Sequence, residues 1–530
     1  MRAARNGSLR AIAPVAAGLL AACQSLEIRP QLTVAETPTR ATTTDGRFIA
    51  WREHLIDDEA TNGGVAIRGG DGLVEGDIDR DGYIDIVSVH EDSNHLRIAF
   101  GSADPGVWTL VTVAAGDIVG AIEDVALGDL DGDGWPDLVA ACEEAHLAYF
   151  RNPGKTARTD LWESHIPAVA TGRGAWLRVF IADVTGDGRA DVLGANKGAS
   201  DIVDPAALHA DRTTSLFTLS GDPLVDASWH EQALLTRGVP NTAMPVDIDG
   251  DGDLDVLAAA RLDQQAFILE NRGTGTDGRV RIDTYPIVID PAGSACGIST
   301  SAFQADFADM DGDGRTDLVV GVIEACGDPR APHGLPALGW LRQPTSLDQP
   351  WVYHRIGDIL PDMVIGIEIA DFDGDGDMDV VTGGYSGLNI IGGGYSDAER
   401  EEDSPSVTPS ASTGRIAWFQ NPGDSAGEWT RHDISRRVRG MYDAFIARDL
   451  DGDGDLDVVA TRGNSGRFDG VFWLEQIRSG SAVRALTPAR GDDSKALPLP
   501  PPDWLDHYGT ASTLVAPNKR KYLPGNNSRN

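Results

Sequence analysis

The 530-residue sequence predicts an all-β fold, a single seven-bladed propeller of four-stranded blades spanning about residues 46–477. Three observations predict it. An acidic nine-residue segment recurs seven times, starting at Asp77, Asp129, Asp183, Asp247, Asp309, Asp371 and Asp449, at intervals of 52 to 78 residues. Each copy runs directly into a short aliphatic or β-branched stretch, such as "IVSV" after the first and "VVTG" after the sixth. Between copies a second pair of segments returns: "LAYFRNPG" then "WESHI", "LGWLRQP" then "WVYHRI", and "IAWFQNPG" then "WTRHDI". Apolar and polar residues alternate there as in half-buried strands. One strand into the acidic segment, one out of it and these two make four, and a four-stranded unit repeated at this spacing is a propeller blade.

The N-terminus begins "MRAARNGSLRAIAPVAAGLLAACQS". Arg2, Arg5 and Arg10 precede a small apolar stretch too short to remain as a membrane span, so residues 1–22 read as a cleaved signal peptide. "LAAC" resembles the lipobox of bacterial lipoproteins. That resemblance implies lipidation of Cys23 and, with Gln24 after it, sorting to the outer membrane. Residues 23–45 are expected to be a linker from that anchor. Next, "IAWREHLID" carries Trp51, His54 and Ile56, an outer-strand signature placed ahead of the first acidic segment. The seventh repeat lacks this signature at its own end. The N-terminal strand is therefore expected to complete the last blade, which would leave no unpaired edge. Residues 478–530, with "LPLPPP", are expected to form a largely disordered tail.

In the pattern DxDxDGxxD, positions 1, 3 and 5 present side-chain oxygens on one side of a curling backbone. Glycine at position 6 permits a left-handed turn. Position 7 can add its carbonyl, and the aspartate at position 9 one or two more oxygens. Six or seven hard oxygen ligands in flexible geometry suit Ca²⁺ better than Mg²⁺ or Zn²⁺. The candidate ligands, by repeat, are Asp77, Asp79, Asp81, Tyr83 and Asp85; Asp129, Asp131, Asp133, Trp135 and Asp137; Asp183, Thr185, Asp187, Arg189 and Asp191; Asp247, Asp249, Asp251, Asp253 and Asp255; Asp309, Asp311, Asp313, Arg315 and Asp317; Asp371, Asp373, Asp375, Asp377 and Asp379; and Asp449, Asp451, Asp453, Asp455 and Asp457. Up to seven structural Ca²⁺ ions are expected, the third repeat binding most weakly because Thr185 replaces a carboxylate. An EF-hand would need glutamate at position 12, where these repeats place residues such as Ser88, Val320 and Thr382.

These loops resemble the FG-GAP (VCBS-type) repeats of integrin α-chain propellers and of bacterial exported proteins. The resemblance implies that the calcium loops join the first and second strands of each blade on one face. It does not imply a ligand, since one fold hosts many functions.

Acidic residues outnumber basic ones 82 to 44, a formal charge of −38, which argues against nucleic acid as a partner. Cys296 and Cys326 flank one repeat and can pair in an exported setting, while Cys142 follows a strand-like run and is expected to be a buried thiol. Loops on the face opposite the acidic ones carry the variable sequence. There His90, Glu91 and His95, with Glu143, Glu144 and His146, are candidates for a transition-metal or acid/base cluster. "SRRVRGMYD" (Arg436, Arg437, Arg439, Tyr442) is a candidate anion site, and Tyr385 and Tyr395 in the 383–414 insertion are candidate sugar-stacking residues. The recurrent His54, His165, His354 and His432 read as structural. The sequence is thus read as a monomeric, lipid-anchored envelope protein binding a protein or a glycan, on a side of the outer membrane left open. The alternative is a polysaccharide lyase or sugar dehydratase acting on the face opposite the calcium loops.

Overall fold

A computed structural model describes residues 31–144, 146–198, 210–385, 413–424 and 427–506. Cys23, Tyr395 and the Tyr385 side chain lie outside the described residues. Most described elements are strands, and they form seven sheets, antiparallel except for two short added strands. No helix among the described residues is long and apolar enough to cross a membrane.

The innermost strands of blades 1 to 7 are Gly70–Gly76, Ile122–Gly128, Ala175–Ala182, Pro240–Val246, Ala305–Ala308, Met363–Ala370 and Phe445–Arg448. Each is followed by its acidic loop, then by a second strand that begins at the loop's last aspartate, such as Asp85–His90 or Asp379–Tyr385. Second strands are almost wholly buried aliphatic runs, because both faces of each sheet are covered by neighbouring blades. Seven apolar clusters result, one between each pair of adjacent blades. The last of them packs Val459 and Trp473 of blade 7 against Ile86 and Ala99 of blade 1, so the ring is closed.

Closure uses the strand that the sequence points to. Phe48–Asp58 pairs antiparallel with Gly470–Ser479, placing Phe48 opposite Ser479 and Asp58 opposite Gly470. Three of the recurrent histidines pack on third-strand aromatics: His54 lies flat on Trp473 and His354 on Trp340, and His432 is tilted against Trp418, with centroids 4.4, 4.2 and 4.9 Å apart. Such cross-strand pairs stabilise the outer half of a sheet, so these residues are structural.

The "NPG" and "RQP" segments have a role that periodicity does not reveal. The Asn152 amide donates to the carbonyls of Pro136 in its own blade and Ile78 in the preceding one, at 2.9 and 3.0 Å. Asn271 reaches Val184, Gln343 reaches Ile248 and Gln476 reaches Phe372 in the same way. Each pins a blade to the one before it. Asn152→Ala leaves two carbonyls unsatisfied next to a buried site and is expected to cost about 2–4 kcal/mol, measured by urea denaturation.

Two segments differ from expectation. Residues 34–41, expected as linker, and 483–497, expected as tail, form an additional layer on blade 7. Leu486–Thr487 runs parallel to Trp51 and Arg52, and Val34, Ala41, Leu486 and Leu497 are buried. Backbone N–H groups of Val34 and Ala485 donate to Leu497 and Thr37, both at 2.9 Å. Blade 5 also gains short strands at Gly297–Ser299 and Ile289–Asp290. Cys296 and Cys326 form a disulfide at the edge of that addition, and Cys142 is a buried free thiol.

Candidate metal centres and the channel

All seven acidic loops join first and second strands and so lie on one face. They share one hydrogen-bond plan. The glycine N–H at position 6 donates to the first aspartate in every loop, for example Gly188 to Asp183 at 2.8 Å and Gly376 to Asp371 at 2.9 Å. The position-7 N–H donates to the fifth-position carboxylate, as Trp135 does to Asp133 at 2.8 Å. Position 6 has positive φ throughout, 83° to 97°. Position 4 is left-handed too, which the sequence reading missed; six repeats place glycine there, and Arg80 takes its place in the first with φ 56°.

The ninth-position aspartate does more than the spacing suggested. Asp137 accepts N–H groups from Leu130 at 3.2 Å and from Asn152 at 2.8 Å, fastening the loop to the start of the third-strand exit. Asp85, Asp255, Asp317, Asp379 and Asp457 repeat this double acceptance, while Asp191 takes its two N–H groups from Val184 and Thr185. Burial pushes these seven carboxyls up, to about 6 for Asp191 and about 8 for Asp379. Burying a carboxylate this deeply disfavours its charge unless a cation is near.

The donor set fits a hard cation. One oxygen each from Asp77, Asp79 and Asp85 lies within 4.8 Å of the others, and the same holds for Asp129, Asp131 and Asp137, for Asp247, Asp249 and Asp251, and for Asp309, Asp311 and Asp317. Asp77 Oδ1, Asp79 Oδ1 and Asp311 Oδ1 are buried with no hydrogen-bond partner among the described residues. Arginines from third strands and the loops after them also approach: Arg158 pairs with Asp79 and Asp81, Arg151 with Asp131, Arg342 with Asp311 and Asp313, and Arg478 with Asp455. Their signal in sequence is faint, a lone arginine beside the "NP" or "QP" dipeptide. In loops 3, 4 and 6 no arginine pairs with an aspartate among the described residues. The position-7 side chains vary: Trp135 stacks under Arg80 at 5.2 Å, Tyr83 is exposed, and Arg315 donates to the Gln343 carbonyl at 3.2 Å and pairs with Asp313 of its own loop.

Of the other candidates Glu91 and Glu143 come together, each with a carboxylate oxygen within 4.8 Å of the other, while the histidines do not join them. His90 is buried beside Ser88 Oγ at 3.1 Å and burial pushes it down to about 3; His95 meets Ser93 Oγ at 3.1 Å, and His146 meets the Ile118 carbonyl at 2.9 Å. The basic island is an internal clasp. Arg437 pairs with Glu53 at 3.0 Å and with Asp493 at 2.7 Å, and Arg436 donates to the Pro498 carbonyl at 3.0 Å, so these arginines hold the 483–498 segment in place. Tyr442 is buried edge-on to Phe472.

All seven innermost strands, or the residues leading into them, line one central cavity of about 490 Å³. Arg178 crosses it, 3.1 Å from Asp443 and 3.6 Å from Asp124, and Gln304 donates to Asp443 at 3.1 Å. The Arg178 and Arg261 guanidinium groups both lie over the Phe303 ring, at 5.3 and 4.8 Å. Closer to the acidic loops, Glu368 accepts the Ala447 N–H at 2.9 Å. Burial first, then the neighbouring Asp306, hold Glu368 up at about 8, against an ordinary 4.5. Because the folded state holds this proton more tightly, its contribution is present below pH 4.5 and is lost as pH rises to about 8. Glu368→Gln is therefore expected to flatten the fall in Tm between pH 5 and pH 8, as read by thermal denaturation across that range.

Residues 77–140, 129–194 and 247–320 match the FG-GAP-like repeat family. No curated protein matches the chain. Among solved structures it is similar, at 10% identity, to BBS1N crystallised with ARL6DN and soaked with lead, covering 82% of this chain and 99% of that one with a TM-score of 0.39. The mercury-soaked form of the same complex gives 10% identity, 84% and 100% coverage and a TM-score of 0.39. The Dos1 propeller gives 10%, 76% of each chain and 0.37. The loops at Asp371 and Asp449 lie outside the matched stretches yet share the hydrogen-bond plan of the rest. The chain is a seven-bladed β-propeller, three stretches of which match the FG-GAP-like repeat family.

Proposed function

We propose that the chain is a calcium-stiffened interaction propeller, exported and held at the outer membrane through lipid on Cys23, that binds a protein or glycan on the face opposite its repeat loops. The asymmetry of the two faces carries this reading. One face is spent on seven near-identical acidic loops, each with the oxygen set and the buried, charge-strained carboxylates that a Ca²⁺ ion would relieve. The opposite face has non-repeating loops, the disulfide-closed addition to blade 5 and a channel mouth where Arg178, Phe303, Gln304 and Asp443 stand together. Rigid scaffolds commonly carry their binding residues on such variable loops. The carboxylate, amide, guanidinium and aromatic groups at the mouth are those that hold sugar hydroxyls and ring faces, so a glycan is the favoured ligand.

A glycan array probed with the calcium-loaded protein tests this. Binding is expected to at least one glycan class and is expected to fall sharply in Phe303→Ala, with the melting temperature little changed. An array with no binding at any calcium concentration would remove the glycan reading. For the anchor, Cys23→Ala is expected to move the protein from the membrane to the soluble fraction on cell fractionation.

A further inference from the structure

Three glutamates from unrelated sequence positions meet where blades 1 and 2 adjoin, on the face away from the repeat loops. Glu91 opens the turn after the second strand of blade 1 and Glu143 the equivalent turn of blade 2. Glu123 lies on the innermost strand of blade 2. One carboxylate oxygen of each is within 4.8 Å of the others, and all three residues are half-buried, open enough for an ion to enter. A fourth carboxylate is buried close by. Asp71, on the innermost strand of blade 1, is 3% exposed, and its Oδ2 has no hydrogen-bond partner among the described residues. The next residue, Gly72, is pressed against blade 2: a Cβ there would stand 3.2 Å from the Glu123 carbonyl oxygen. The like charges acting most strongly on Asp71 are those of Glu123 and Glu91.

The protein supplies little to balance them. Lys197 pairs with Glu143. Arg261 also acts on Glu123, and Arg178 is already shared between Asp443 and Asp124. The four carboxylates outnumber the cations that act on them, and like charges this close repel. An all-oxygen donor set with no histidine or thiolate selects a hard divalent ion.

We propose that Asp71, Glu91, Glu123 and Glu143 bind a divalent cation of the calcium or manganese class at the mouth of the channel, separate from the seven repeat loops. The ion ties blade 1 to blade 2 on the face where the ligand is proposed to bind. Lys197 neutralises part of the site and competes with the ion for Glu143.

The test uses the full mature chain, stripped with chelator and titrated with Mn²⁺, free Mn²⁺ being read by electron paramagnetic resonance. A Glu91→Gln/Glu123→Gln double variant is expected to bind one ion fewer per chain than wild type at saturation. Lys197→Met is expected to bind the same number of ions, with the site on Glu143 filling at lower Mn²⁺. Crystals of the wild type soaked in Mn²⁺ are expected to show anomalous density among the four carboxylates, which decides the matter even if the double variant does not fold. Unchanged stoichiometry in a folded double variant, or soaked crystals without density there while repeat loops are filled, would overturn the site and show that Lys197 and Arg261 balance the cluster.

Discussion

Removing divalent cations is expected to lower the melting temperature by roughly 10–20 °C. An ion at a hundred times its dissociation constant stabilises the native state by about 2.7 kcal/mol, and the chain has seven loops to fill. Spread over the large unfolding entropy of a ring this size, that sum gives a shift of the stated order. The loops themselves explain why the ions matter. Without them Asp379 and its six counterparts are buried acids met by N–H donors but paired with no cation among the described residues, and Asp77 Oδ1, Asp79 Oδ1 and Asp311 Oδ1 are buried with no hydrogen-bond partner among those residues. Differential scanning calorimetry with and without chelator, at constant ionic strength, measures the effect. The loss is expected to be reversed by Ca²⁺ and not by monovalent salt.

Removing residues 32–58 is expected to abolish the folded monomer. Phe48–Asp58 supplies the outer strand of blade 7, and its loss exposes the whole edge of Gly470–Ser479. It also uncovers the cluster in which Ile49 and Trp51 pack with Phe372, Phe472 and Leu486. An open strand edge of that length invites pairing with other chains, so aggregation is expected on size-exclusion chromatography. A milder probe is Trp51→Ala. The ring is 3% exposed and meets Phe372 edge-on at 6.3 Å, so the substitution is expected to cost about 3–5 kcal/mol in denaturant unfolding. A truncated chain that stays monomeric, with an unchanged unfolding transition, would mean that blade 7 closes without its N-terminal strand.

Much of the ring was legible because each repeat states the same local physics. "IAWREHLID" was recognisable as a displaced outer strand since Trp51, His54 and Ile56 have the spacing of Trp351, His354 and Ile356. The acidic loops were legible for the same reason, down to the left-handed glycine at position 6. What escaped notice depends on single long-range contacts. Residues 34–41 and 483–497 show no strand alternation; backbone bonds and the Arg437–Asp493 pair hold them. Arg436 and Arg437 looked like a receptor for an external anion, and the partners that neutralise them, Glu53 and Asp493 among these, are far away in sequence. The ninth-position aspartates looked like ligands alone, since the N–H groups they receive come from backbone, which leaves no mark on residue type. Glu91 and Glu143 were visible as acidic turns, but Asp71 and Glu123 join them only through the packing of blade 1 on blade 2.

The metal content of the protein tests the central claim most directly. Elemental analysis after equilibrium dialysis against buffered micromolar Ca²⁺ is expected to give several ions per chain, approaching one for each of the seven loops at saturation, with loops 3, 4 and 6 free of arginine competition. A calcium content below about one ion per chain, in protein that is folded and monomeric, would contradict the account.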